Sequence, residues 1–213
     1  MTGLTRRAAM AAASAGAALA AAPVSVAWAA VKAAPGDMSL GDPKAPVHVV
    51  EYLSLTCPHC ADFHHEVFPA FKAKYIDTGR VYFTVRELLT APANVAAAGF
   101  LMARCNGGAR YFQIVEAVFK SQSRWQQGNI KPLFVEIAKQ NGMTEAQFEA
   151  CLVDEAANAA LSKRLEYATG VDKVTGTPTF FINGVMLPNQ TVPTLADLDA
   201  AIAKAARPAG GRR

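Results

Sequence analysis

The spacing of apolar positions divides the chain into segments of different period. "PVHVVEYLSL" is mostly apolar and β-branched or aromatic, the composition of a buried strand, and counting by two puts Val47, Val49, Glu51 and Leu53 on one face. After Cys57 the period lengthens. Phe63, Val67, Phe71 and Tyr75 recur every four residues, with Cys60 one turn earlier, which predicts an amphipathic helix ending near Gly79. "RVYFTVREL" reads as a second strand. From Pro92 to about Gly170 the pattern is helical, with stops at Asn106-Gly107-Gly108 and Asn141-Gly142 and a capping-box pattern at Thr144 to Gln147. Strand signals return at "TPTFFINGVML", where Asn183-Gly184 is a two-residue hairpin turn, and "TLADLDAAIAKAA" predicts a closing helix. The order is strand, helix, strand, a long helical block, hairpin and helix, an α/β chain.

The first residues follow another logic. Arg6 and Arg7 precede a run of alanines and other small or apolar residues, no acid appears before Asp37, and Ala27-Trp28-Ala29 offers a small-x-small cleavage site. Residues 1–29 therefore read as a secretory signal peptide, cleaved after Ala29. An uncleaved anchor is the alternative, opposed by the weak hydrophobicity of alanine and by Ser14, Pro23 and Ser25. "TRRAAM" leaves the general secretory (Sec) and twin-arginine routes both open. Either route ends outside the cytoplasm, where disulfides persist, and the expected location is the periplasm.

Removing residues 1–29 leaves 19 basic and 17 acidic side chains, so the net charge falls from +4 to +2. Without a clustered basic face this composition excludes a nucleic-acid footprint. Arg212 and Arg213 belong to a flexible tail, residues 208–213.

The junction between the first strand and the first helix reads "CPHC". A cysteine at a strand end, followed by proline, is the N-cap and first-turn arrangement of a helix, because the missing Pro58 N–H has no helical partner there. The Cys57 sulfur then faces the free N–H groups and positive end of the helix, while Cys60 lies one turn further in. Cys57 is the attacking thiol and Cys60 the resolving one. A donor or positive charge at His59 adds to the stabilisation of the Cys57 thiolate. Each such gain favours the reduced dithiol and makes the disulfide more oxidising.

CxxC is also half of a zinc site. Completing it needs Cys105 and Cys151, or two histidines, and His64 and His65 are adjacent and so point in different directions. Haem attachment needs histidine after the second cysteine, where Ala61 stands. A metal-binding or copper-handling thiol protein remains the rival from another class. Cys105 and Cys151 form an even pair in an oxidising compartment and read as a structural disulfide, two free buried thiols being the alternative.

"EYLSLTCPHC" together with "GTPTFFING" resembles the DsbA family of bacterial periplasmic thiol-disulfide oxidoreductases, over nearly the whole chain after residue 29. The resemblance implies a thioredoxin fold in two halves, residues 36–91 and 171–207, with a helical domain inserted at 92–170. It implies that Pro178 is a cis-proline facing the active disulfide, and that Thr177 offers backbone groups to an extended substrate peptide. Thr177 departs from the aliphatic residue of the family's best-known member, and its hydroxyl is able to bond the Cys57 sulfur and tune the potential. It also places Glu51 beneath the active site, where burial raises a carboxyl pKa and lets it accept the Cys60 proton; a carboxylate reaching solvent at the strand end is the alternative.

The implied activity is donation of a Cys57–Cys60 disulfide to exported proteins with reduced cysteines, through a mixed disulfide and with no further cofactor. A DsbB-like membrane quinone reductase is the implied reoxidation partner. The rival is a reductase or isomerase with the same site. Only about 17 residues separate residue 29 from Val47, too few for an added dimerisation domain, so a monomer is expected.

Overall fold

The computed structural model describes residues 32–188 and 192–206; the expected signal peptide and basic tail lie outside them. Five strands form one sheet in the order β1-β3-β2-β4-β5, where β1 is Met38–Leu40, β2 Val47–Leu53, β3 Val81–Glu87, β4 Thr179–Ile182 and β5 Val185–Met186. β2 and β3 run parallel; every other pairing is antiparallel.

β2 is the central strand and is buried on both faces. Val47, Val49 and Leu53 enter the main core beside Phe63, Phe71 and Phe83, while Val50 and Tyr52 join a smaller cluster with Leu88, Ala168 and Val174. That explains its near-continuous apolar run. β1 was not anticipated from the sequence. Three residues carry no readable period, and its place comes from pairing with β3 and from Ser39 and Thr84, whose hydroxyls meet at 2.8 Å.

The helix after Cys57 alternates α1 (Pro58–Asp62), a π segment Phe63–Val67, α2 (Phe68–Phe71) and a second π segment Lys72–Ile76. A row of apolar residues spaced by four drifts off one face of a 3.6-residue helix. The wider i→i+5 turns lengthen the local period and keep Phe63, Phe71 and Tyr75 buried, while Val67 is only half-buried. The expectation of a plain α-helix is corrected accordingly.

Between β3 and β4 lie α3 (Ala93–Arg104), α4 (Tyr111–Ser121), α5 (Lys131–Gln140), α6 (Glu145–Val153) and α7 (Glu155–Gly170); α8 (Leu195–Ala205) closes the chain. The capping box at Thr144 and Gln147 is present, and Thr194 with Asp197 makes a second. Asn183 and Gly184 both have positive φ, 47° and 79°, the geometry of a primed hairpin turn. Gly99 lets α3 approach the turn between β2 and α1 closely: a Cβ there would lie 2.6 Å from Leu55 Cδ1.

Arg86 of β3, 6% exposed at its side chain, binds Asp37 and Asp172 through contacts of 2.8 and 2.7 Å. Beside it Glu87 is held between Arg104 and Arg164. The Arg86 pairings hold the N-terminal segment and the end of α7 on the face of the sheet opposite the main core, while Glu87, at the strand end, ties α3 and α7 together and accepts from the core residue Tyr111.

Candidate active site

Cys57 caps the first turn in extended conformation (φ −81°, ψ 120°), with Pro58 in the first turn and Ala61 N donating to the Cys57 carbonyl at 3.2 Å. Cys57 keeps 6% of its surface and Cys60 none, so only the first sulfur can be attacked from outside. Both are free thiols. The hydrogen bond from the Cys60 thiol is the largest influence pulling the Cys57 pKa down to about 5; burial opposes it, and Thr177 and the backbone N–H groups of Cys60 and His59 add smaller pulls. Burial pushes the Cys60 thiol well up, and its bond to Cys57 and the nearby charge of Glu51 add to this. The pair is therefore split: one sulfur is an anion at neutral pH, the other a protonated donor.

Of the donor or positive charge expected at His59, the structure shows the donor. Its ring is 49% exposed and faces Asp62, with Nδ1 3.7 Å from the carboxylate; what reaches Cys57 is the backbone N–H. Across the site the Thr177–Pro178 peptide is cis, and the Cys57 thiol donates to the Thr177 carbonyl at 3.3 Å. The Thr177 hydroxyl is buried beside the sulfur and is one of the smaller influences that lower the Cys57 pKa. Pro178, Phe180, Leu187 and Pro193 line an apolar groove of about 310 Å³ running from this point.

Glu51 lies beneath, fully buried, which removes the reading of a carboxylate reaching solvent. Its Oε2 meets His64 Nε2 at 3.0 Å and its Oε1 has no partner. The His64 ring is packed between Phe68 and Phe119, both 4.8 Å away centre to centre. His65 is exposed. The sequence reading treated His64 only as a poor zinc ligand; the usable signal was its position four residues after Cys60, on the buried side of the same helix. Gln122 was also missed. It follows α4, and its amide nitrogen donates to the Leu55 carbonyl at 2.8 Å and the Cys57 carbonyl at 3.3 Å, tying the helical block to the strand–helix junction.

Cys105 and Cys151 are bonded to each other across 46 residues with Cα atoms 5.9 Å apart, and so do not complete a four-thiolate site with Cys57 and Cys60. Among the described residues, no helix is long and apolar enough to cross a membrane.

A family model described as thioredoxin matches residues 33–204. The crystal structure of Wolbachia pipientis alpha-DsbA1 is similar at a TM-score of 0.73 and 30% identity, over 83% of this chain and 94% of that one. Oxidised BdbD from Bacillus subtilis is similar in fold at a TM-score of 0.66 and 23% identity, over 79% and 91% of the two chains. A Rickettsia bellii protein provisionally named a protein-disulfide oxidoreductase is 35% identical over 78% of this chain; the match spans 64% of that protein's length. The chain thus covers somewhat less than two thirds of such relatives.

Proposed function

The chain belongs to the thioredoxin family and to its DsbA-like members, and from that premise we propose that it is a thiol:disulfide oxidoreductase acting as a dithiol oxidase. A client thiolate attacks Cys57 of the Cys57–Cys60 disulfide, a client–Cys57 bond forms, and the electron pair leaves on Cys60. A second client thiolate then attacks the client sulfur of that mixed disulfide, closing the client disulfide and releasing Cys57 as a thiolate. The client dithiol loses two electrons and the protein gains them. Pro58 fixes the first turn, His59 contributes its N–H to the Cys57 sulfur, and Glu51 takes or returns the Cys60 proton. Thr177 and Pro178 present an extended client segment with backbone partners, so affinity is tolerant of sequence.

The observation that carries this reading is the placement of the Cys57 sulfur at the first turn of α1, before Pro58 and 3.3 Å from the carbonyl of the cis Thr177–Pro178 peptide, where hydrogen bonds from Cys60 and its surroundings lower its pKa to about 5. A stabilised thiolate favours the dithiol over the disulfide, and the disulfide is correspondingly willing to accept electrons. Clients are exported proteins with reduced cysteines, in a periplasm reached after cleavage of residues 1–29; a DsbB-like quinone reductase restores the disulfide, and the protein acts as a monomer. Equilibration against glutathione tests the reading. A couple more oxidising than glutathione, with oxidative refolding of a reduced client, is the expected result; a couple near that of reducing thioredoxins turns the same site into a reductase.

A further inference from the structure

A proton that leaves Cys60 for Glu51 reaches a carboxyl with no surface of its own, 0% exposed. Among the described residues, the single polar side chain bonded to that carboxyl is His64, at 3.0 Å. The His64 side chain retains 4% exposure, and the residue lines a groove of about 330 Å³ together with Leu40, Phe68, Lys72, Phe112 and Glu116. The charged or titratable groups around the ring are Glu51 on β2, Cys60 on its own helix, and Lys72 and Glu116 across the groove. Lys72 and Glu116 are paired with Asp77 and Lys120 respectively. Among the described residues no hydrogen bond is made to Nδ1, so one ring nitrogen holds the buried carboxyl and the other is free for water.

We propose that His64 is a positioning and relay residue that connects the buried Glu51 carboxyl to solvent in the groove, carrying protons to and from Cys60 on the side of the helix away from the client. The inference rests on the exchange chemistry proposed above. In the oxidising half of the cycle the Cys57 thiolate attacks glutathione disulfide, forming a Cys57–glutathione bond and releasing one glutathione thiolate. Cys60 then gives its proton to Glu51, its sulfur bonds to Cys57, and the second glutathione leaves with the electron pair. With its proton on Nδ1, His64 takes the Glu51 proton at Nε2 while Nδ1 releases its own to water, and exchange with water then returns the ring to its starting tautomer. The two steps differ in the one respect that matters: only the second requires Cys60 to lose a proton. A histidine is suited to this because its two nitrogens exchange donor and acceptor roles, whereas an amide cannot carry a proton through.

The test follows reduced full-length protein mixed with glutathione disulfide, acid-quenched and resolved by mass, from pH 5 to 9. In His64→Gln the first step and the thiolate titration of Cys57 stay as in the unaltered protein. The second step slows at least about tenfold, a part of the roughly 10²–10⁴-fold that acid–base catalysis supplies. In His64→Gly, added imidazole restores the second step. Equal second-step rates in His64→Gln and the unaltered protein across the pH range overturn the relay, as does equal slowing of both steps or a failure of imidazole to restore the rate. Absence of any mixed disulfide in the unaltered protein counts instead against the exchange chemistry itself.

Discussion

The Cys57 sulfur and the Thr177 carbonyl meet at 3.3 Å across 120 residues of chain, which places the attacking atom against the cis peptide where β4 begins. On the function proposed above, an incoming strand that pairs with the Thr177 backbone would be delivered to the sulfur, and geometry rather than client side chains would select the atom attacked. Iodoacetamide at neutral pH should modify Cys57 alone in the native reduced protein. Mixed with glutathione disulfide, Cys60→Ser should accumulate a stable Cys57–glutathione mixed disulfide with release of one glutathione thiolate, and Cys57→Ser should form none; mass analysis under acid quench checks each outcome.

Thiolate absorbance of the reduced protein should titrate with a midpoint near 5, against an ordinary thiol value of 9.0. The folded value is depressed, so this group's stabilisation of the reduced protein is complete above about pH 9 and is lost as pH falls through about 5. Cys60 stays protonated throughout that window. The melting temperature of the reduced protein should therefore exceed that of the oxidised protein at neutral pH, with the gap closing toward pH 5. A gap independent of pH would mean that Cys57 is an ordinary thiol.

Glu51→Gln should slow the step that ionises Cys60 and alter its pH dependence while leaving attack by Cys57 on glutathione disulfide unchanged. Stopped-flow measurement of both steps decides it, and identical profiles across pH would remove Glu51 from the chemistry.

Loss of the Cys105–Cys151 bridge in a double alanine variant should cost about 4 kcal/mol by the chain-entropy estimate for a loop of 46 residues. Denaturant unfolding measures it. In the native protein, alkylation without reductant should leave these two sulfurs unmodified.

Arg86→Met removes the cation between Asp37 and Asp172 and strands two partly buried carboxylates, so a loss of about 3 kcal/mol is expected. The Cys57 titration should not move, because the cluster lies on the other face of the sheet.

Much of the site was legible because its determinants are local. Cys57, Pro58 and Cys60 lie within one turn, and the change of period at that point marks strand becoming helix. Asn183-Gly184 needs only two residues to specify its turn, and Thr144 with Gln147 only four. What escaped depends on packing. β1 is set by its partner on β3 rather than by its own three residues. The π segments answer an apolar spacing that is slightly too wide for the helix. His64 meets Glu51, and Gln122 meets Cys57, across 13 and 65 residues, distances over which a single sequence carries no register. His59 shows the converse: its position between the cysteines was legible, yet its ring turns outward and only its main chain acts.

The unpartnered Glu51 Oε1, enclosed in the middle of the central strand, implies a conflict between endurance and work. Leucine at that position would fill the same volume without desolvating a carboxyl. A library of variants selected only for survival at high temperature should therefore replace residue 51 early, and the hardiest survivors should be the slowest catalysts.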